Sequence, residues 1–489
     1  MTPSPLERRP RLLPAAAAAL SFLACGSTAS PVRVVVPGAE LISVSPDQAV
    51  ITSHVSLTGP VGNVAVGDLL VNQLSPPLPQ LLLDGAAFNS NFPSRKSSLL
   101  TYFNNATPSI DAGSSAVFGA LWLWLPSFPA GVRLGSGFAQ RTLFASDGSW
   151  IFFVDAPQPS RTMAASVAFV ETAACTAARA NPPPPGQGCP VHLLAQGQLV
   201  TSATASPDNR FIAWQENGGP GTAVSVHLLD TASLEVSVVS SSLSTVPLAF
   251  APDGSLLALG TRPGQVISTR SRTLTGWTFP PGVAPAQLAF VNPQSLLVHG
   301  RDRVLYRTSA SIADEILPMP VLEFSLPRSA ALTSRYLFFS TVEAADGTND
   351  ARLLDLDMPA TPGAVPVTLS QRTFGLPSAS DDLGACAFLD EEDPAARTGI
   401  LSAALLPGGS PVALGKAVHS WAFAEGSQKL VFIDPASEAF QLRLWRPTLP
   451  GSRILASSVL NWRVRRDPAT IFFTEEGDTS GSIVAQPLP

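Results

Sequence analysis

From residue 32 onward the chain alternates short apolar runs with clusters of Pro, Gly, Asp and Ser. The runs are rich in Val, Ile, Phe and Trp, as strands are, and convincing helical periodicity is rare. Four segments share one pattern, a turn followed by an apolar strand: VSPDQAVITS, ASDGSWIFFV, ASPDNRFIAWQ and FAPDGSLLALG. In each, an apolar residue stands four positions after the turn aspartate: Ile51 after Asp47, Ile151 after Asp147, Ile212 after Asp208 and Leu257 after Asp253. The turn chemistry is local. Pro presets φ, Asp bonds its own backbone, and Gly accepts positive φ.

Less regular copies centre on Leu100, Leu297, Leu337, Ala385, Leu430 and Ile471. From Ile51 to Ile471 the ten centres recur at a mean interval of roughly 47 residues, the range of a four-stranded repeat unit. The longest interval, from Ile151 to Ile212, contains a Pro-rich insertion. Further runs follow the turn strand in many units, such as GDLLVNQL then PQLLLDGAAF, and SVHLLD then LEVSVVS. Four short strands per unit is the blade of a β-propeller. The expected fold is all-β, a single closed β-propeller of 8–10 four-stranded blades over residues 32–489; two smaller propellers in tandem are the alternative. The segment VRVVVPG at 32–38 is positioned to complete the last unit, which stops short of a fourth strand.

The segments SPDNRFIAWQENGGPGTAVSVHLLDTASLEV and APDGSLLALGTR resemble the repeats of TolB-type, WD-like β-propellers. The resemblance covers most of residues 41–489 and is strongest around Asp208 and Asp253. No counterpart of the α/β domain that precedes the TolB propeller is seen, and the WD dipeptide is missing, so a role in the Tol–Pal system does not carry over.

Composition sharpens the class. Of 489 residues, 36 are Gly and 47 Pro, and the charged fraction is only 13%, against a usual value of roughly 25%. The hydrophobic fraction of 45% argues against disorder. The net charge of −6 and the lack of a basic stripe argue against nucleic-acid binding.

The N-terminus reads as an address. Arg8, Arg9 and Arg11 precede an apolar stretch from Leu12 to Ala24, the length of a signal-peptide core rather than of a membrane span. Phe22-Leu23-Ala24-Cys25 resembles a bacterial lipobox, departing from it at Phe22 and Leu23. That resemblance implies a signal peptide over 1–24, lipidation at Cys25, a short linker over 25–31 and an outer-membrane, periplasm-facing location. An ordinary secretory signal is the alternative. Loss of residues 1–24, which hold Glu7 and three Arg, takes the net charge from −6 to −8. Cys175 and Cys189 flank a loop with four consecutive prolines, which suggests a disulfide in an oxidising compartment; Cys386 is left as a buried thiol.

Catalytic motifs are absent. His54, His192, His227, His299 and His419 show no zinc spacing. No nucleophile elbow, P-loop or dinucleotide fingerprint occurs, and no metal or cofactor is expected. Asp390 to Asp393, Asp346 with Asp350, and Glu475, Glu476 and Asp478 read as solvated hairpin tips. Trp122 and Trp124 share a sheet face and read as packing between blades. The expectation is a lipid-anchored, non-enzymatic scaffold that binds an envelope protein or peptide and touches the membrane only through its anchor. An enzyme with residues drawn from several blades, and a glycan-binding propeller, remain as alternatives.

Overall fold

The computed structural model describes residues 32–488 apart from the stretches 36–40, 75–79, 93–97, 176–186, 218–222, 329–333, 358–365 and 476–481 and some shorter ones. Cys25, Asp47 and His419, with the signal and linker segments over 1–31, lie outside the described residues. Strands dominate; a 3-10 turn spans Thr172–Ala174.

The strands are antiparallel meanders in two compact units. The first unit comprises residues 1–200, 461–465 and 470–489. It holds a seven-stranded sheet of Leu41–Val44, Val50–Val61, Val64–Gln73, Leu81–Asn91, Leu100–Pro108, Val117–Trp124 and Val132–Phe138, each paired to the next. Leu81–Asn91 serves two meanders. Its first half pairs with Val64–Gln73 and its second half with Leu100–Pro108. The strand Val32–Val35 pairs with Ser482–Pro487 in the register Val32↔Ala485 to Val35↔Ser482. The early segment therefore completes the C-terminal sheet, as the sequence pattern anticipates.

The second unit comprises residues 201–460 and 466–469. Its sheets run in simple sequence order, for example Pro285–Asn292, Ser295–Gly300, Leu305–Thr308 and Ala313–Glu315. This strand order, a four-stranded antiparallel meander repeated along the chain, is that of propeller blades.

All ten repeat centres stand on the second strand of such a meander, and all ten are fully buried. The reason is period two. A residue four past the turn aspartate points into the stack while its neighbours point to the other face. The cores join consecutive meanders: Phe211, Val226, Phe250, Leu257 and Ile267 form one cluster, and Tyr336, Phe338, Leu353, Cys386 and Phe388 belong to another. Trp122 and Trp124, 7% and 3% exposed, pack with Tyr102 and Leu100, so they are core residues.

The turns behave as their chemistry requires. Ser206 N–H donates to the Phe211 carbonyl (2.8 Å), Ala251 N–H to Leu256 (2.9 Å) and Ala145 N–H to Trp150 (3.1 Å). Asp147, Asp208 and Asp253 each accept the N–H two residues on, at 3.0, 3.2 and 3.1 Å. Gly148, Asn209 and Gly254 take the positive φ. A hydroxyl after the third strand then locks each turn. Thr172, Thr231 and Thr269 donate to the carbonyls of Gly148, Asn209 and Gly254 at 2.6, 3.1 and 2.8 Å.

Candidate functional site

The site begins with a polar residue in an apolar strand. Phe211–Asn217 follows the Asp208 turn, and Gln215 within it is 1% exposed. Its amide is fully used. Nε2 donates to Ser202 Oγ and to the Val246 carbonyl, both at 2.7 Å, and Oε1 accepts the Val246 N–H at 2.8 Å. The side chain thus pairs with the Val246 backbone as a neighbouring strand would, satisfying groups that burial would otherwise penalise.

That clamp fixes the segment entering the next meander. The Pro247 carbonyl accepts the Gly260 N–H at 2.9 Å. A Cβ at Gly260 would lie 2.5 Å from Pro247 Cγ and 3.1 Å from Pro285 Cβ, so glycine is what lets the two prolines close on this point. Between the first strands of three successive meanders lies an open cleft of about 500 Å³. Its walls are Thr201, Ser202, Thr245, Val246, Ala286 and Arg301, beside Gln215 and the two prolines.

Arg301 is the only charged residue of that lining. It sits in a tight turn, where its N–H donates to the Ala284 carbonyl (2.9 Å) and Gly300 N–H to Val304 (2.9 Å). The adjacent Asp302 is occupied with the Val304 N–H at 3.2 Å. Arg301 is exposed, and no ion pair or hydrogen bond engages its side chain among the described residues. The lining carries hydroxyls, an amide and a guanidinium, and no His, Cys, Asp or Glu.

The opposite face of the same strand carries a second polar group. Trp214 Nε1–H donates to Glu216 Oε1 at 2.6 Å, His227 Nε2 lies 3.0 Å from Glu216 Oε2, and the His227 ring stacks on Trp214 at 5.2 Å. Burial pushes the Glu216 carboxyl up, but the hydrogen bonds from His227 and Trp214 outweigh it and hold it below the ordinary range.

The other candidates fall into place individually. Cys175 and Cys189 form a disulfide. Cys386 is buried, and desolvation pushes its thiol up to about 12. His299 Nε2 lies 2.8 Å from the Val321 carbonyl, inside the fold. Asp346 pairs with Arg372 (2.9 Å) and Asp350 with Arg352 (2.6 Å), so these carboxylates hold hairpins together. Among the described residues no three His, Cys, Asp or Glu gather to hold a metal ion, and no helix is long and apolar enough to cross a membrane.

No protein-family model matches the chain, and no curated protein matches it. Solved structures similar to it include the C-terminal WD40 domain of Sif2, at 10% identity and a TM-score of 0.36, over 71% of this chain and 95% of that one. A structure titled as the eukaryotic initiation factor is 12% identical with a TM-score of 0.49, covering 87% and 88%. The Cps50 (Swd1) beta-propeller domain of Myceliophteria thermophila is 8% identical with a TM-score of 0.31, covering 59% and 97%. The architecture itself rests on the strand order above.

Gln215 and Arg301 were not among the residues singled out from sequence. Gln215 and Val246 are 31 positions apart. The one local signal is a Gln-Glu pair closing the apolar run of the turn strand, FIAWQE.

Proposed function

We propose that the chain is a closed β-propeller scaffold that binds a protein or peptide, lipid-anchored through Cys25 and facing the periplasm from the outer membrane. The observation that carries the binding reading is the cleft. Hydroxyls without a neighbouring base are poor nucleophiles. A lining of Thr, Ser, Gln and Arg beside proline walls suits recognition of polar main chain and side chain. In a closed ring the first strands would line the central channel and place the cleft at its mouth. The pairing of Val32–Val35 with Ser482–Pro487 supports closure, because it joins early and late chain in one sheet and covers an edge. The anchor and the location rest on the N-terminal pattern alone.

The test is photo-cross-linking in a bacterial host with a cross-linking residue at Ala286 of the full chain, followed by mass spectrometry. A discrete, reproducible adduct with one envelope protein is expected. Its absence, together with turnover of small substrates by the purified protein, would remove the scaffold reading. The anchor is tested separately. Cys25→Ala is expected to release the protein from membranes, and unchanged membrane retention overturns lipidation.

A further inference from the structure

We infer that the cleft is a carboxylate-binding site and that the partner's anchoring group is a peptide carboxylate, C-terminal or from an acidic side chain. This rests on the scaffold reading above and names what the cleft recognises.

The repeat supplies the first argument. Asn104, Asp155, Glu216, Thr261, Arg301, Thr341, Asp434 and Glu475 each stand four residues past their repeat centre. Those whose side chains are described have partners within the fold. Asn104 Nδ2 donates to Asp84 (2.8 Å), Asp155 accepts the Ser136 N–H (2.8 Å), and Thr261 Oγ1 donates to the Pro263 carbonyl (2.7 Å). Thr341 Oγ1 donates to Asp350 (2.7 Å), and Asp434 faces Arg443 (3.1 Å). Arg301 is the exception. It carries the position's only cation, it is exposed, and its guanidinium has no partner among the described residues, so it is free to meet a ligand at the cleft.

The second argument is the donor set. A guanidinium presents two parallel N–H groups that match a carboxylate. The Ser202 hydroxyl oxygen accepts from Gln215, so its own hydrogen is not spent on that bond. Thr245 belongs to the same lining. No carboxylate there competes for Arg301, and Val246, Pro247, Pro285 and Ala286 line the cleft beside it. One cation suits a monoanion. A polyanion such as a phosphate would call for more than the one cation the lining holds.

The experiment uses three pools of N-terminally biotinylated octapeptides, randomised without Asp, Glu or Cys, on an interferometry sensor. One pool has a free C-terminal carboxylate, one a C-terminal amide, and one the amide with a single internal Asp or Glu. The purified mature protein is expected to bind the first or the third at least tenfold more tightly than the amide pool. That choice separates a chain terminus from a side chain. Arg301→Gln is expected to abolish the preference and Arg301→Lys to retain part of it, with unchanged melting as the control for folding. Equal binding to all pools, binding to none, or a preference that survives Arg301→Gln overturns the proposal. Cross-linking at Ala286 keeps the two readings apart: an adduct of undiminished yield in Arg301→Gln leaves the scaffold standing and sinks the carboxylate.

Discussion

Replacing Glu216 tests whether the buried Trp214–Glu216–His227 group stabilises its meander as the geometry requires. The carboxylate side chain is 4% exposed and His227 15%. Trp214 is fully buried, so its indole N–H has no solvent to turn to. Glu216→Ala removes one charge-assisted hydrogen bond at 2.6 Å and one at 3.0 Å. It also orphans the indole donor. Hydrogen bonds to charged groups contribute about 1.5–3 kcal/mol each, and an unsatisfied buried donor costs about 1–3 kcal/mol. These effects overlap, and the expected loss is about 3 kcal/mol. Glu216→Gln keeps the shape and an acceptor for Trp214, so its loss is expected near 1 kcal/mol, the scale of a neutral hydrogen bond. The pH dependence follows from the direction of the shift. A carboxyl held below its unfolded value of 4.5 contributes stability that is fully present above that pH. The contribution fades as pH falls through the lower folded value. Urea unfolding of the purified protein, followed by tryptophan emission between pH 7 and pH 3, reads both effects. The wild type should lose more stability than Glu216→Gln below about pH 4.5. Parallel pH curves for the two proteins, or a loss under about 1 kcal/mol in Glu216→Ala, would refute the reasoning.

Three further outcomes follow. Reduction, or Cys175→Ser with Cys189→Ser, opens a loop with a sequence separation of 14 and should lower stability by about 3 kcal/mol, seen as a shifted urea midpoint. Cys386, with its thiol pushed up to about 12, should resist iodoacetamide at pH 8 in the native protein and react fully in urea, counted by intact mass. Gly254→Ala forces a side chain onto a φ of +70° and places Cβ within 2.6 Å of the Asp208 carboxylate, so a loss of roughly 1–3 kcal/mol is expected by urea unfolding, against a near-neutral Gly276→Ala control.

The repeat was legible because its signal is local. Turn and buried centre fall within a few residues, and even Leu100 and Ala385, the least regular copies, lie fully buried on second strands. The double use of Leu81–Asn91 was not legible. That strand does not break at a turn signal. It instead carries a glycine near its middle, Gly85, where strand glycines commonly mark a bend. The Thr172, Thr231 and Thr269 locks were also missed, since their distance from the turn varies with the length of the intervening hairpin.

The cleft was hidden for a different reason, and the repeat itself explains it. Gln215 and Glu216 are adjacent in sequence, so a strand sends them to opposite faces. One face clamps the entrance of the next meander through Val246, and the other closes on Trp214 and His227. The Trp214 contact is local, two residues along the same strand, but Val246 and His227 come from segments beyond it, so neither of those bonds can be read along the chain. Once the centres are fixed by burial, however, they act as a ruler. Position four past the centre is polar in eight repeats and apolar in two, at Val55 and Leu389. A position that is polar in most repeats and internally satisfied wherever its side chain is described, save at Arg301, is a structural position with one residue released from structural duty. On that reasoning Arg301→Gln should leave the urea midpoint within about 0.5 kcal/mol of wild type, as for a surface substitution, while Asp155→Ala, which strips the Ser136 N–H of its acceptor, should lower it by about 1–3 kcal/mol. Equal losses in the two variants would mean that Arg301 has a structural partner after all, and the argument that singles it out would fail.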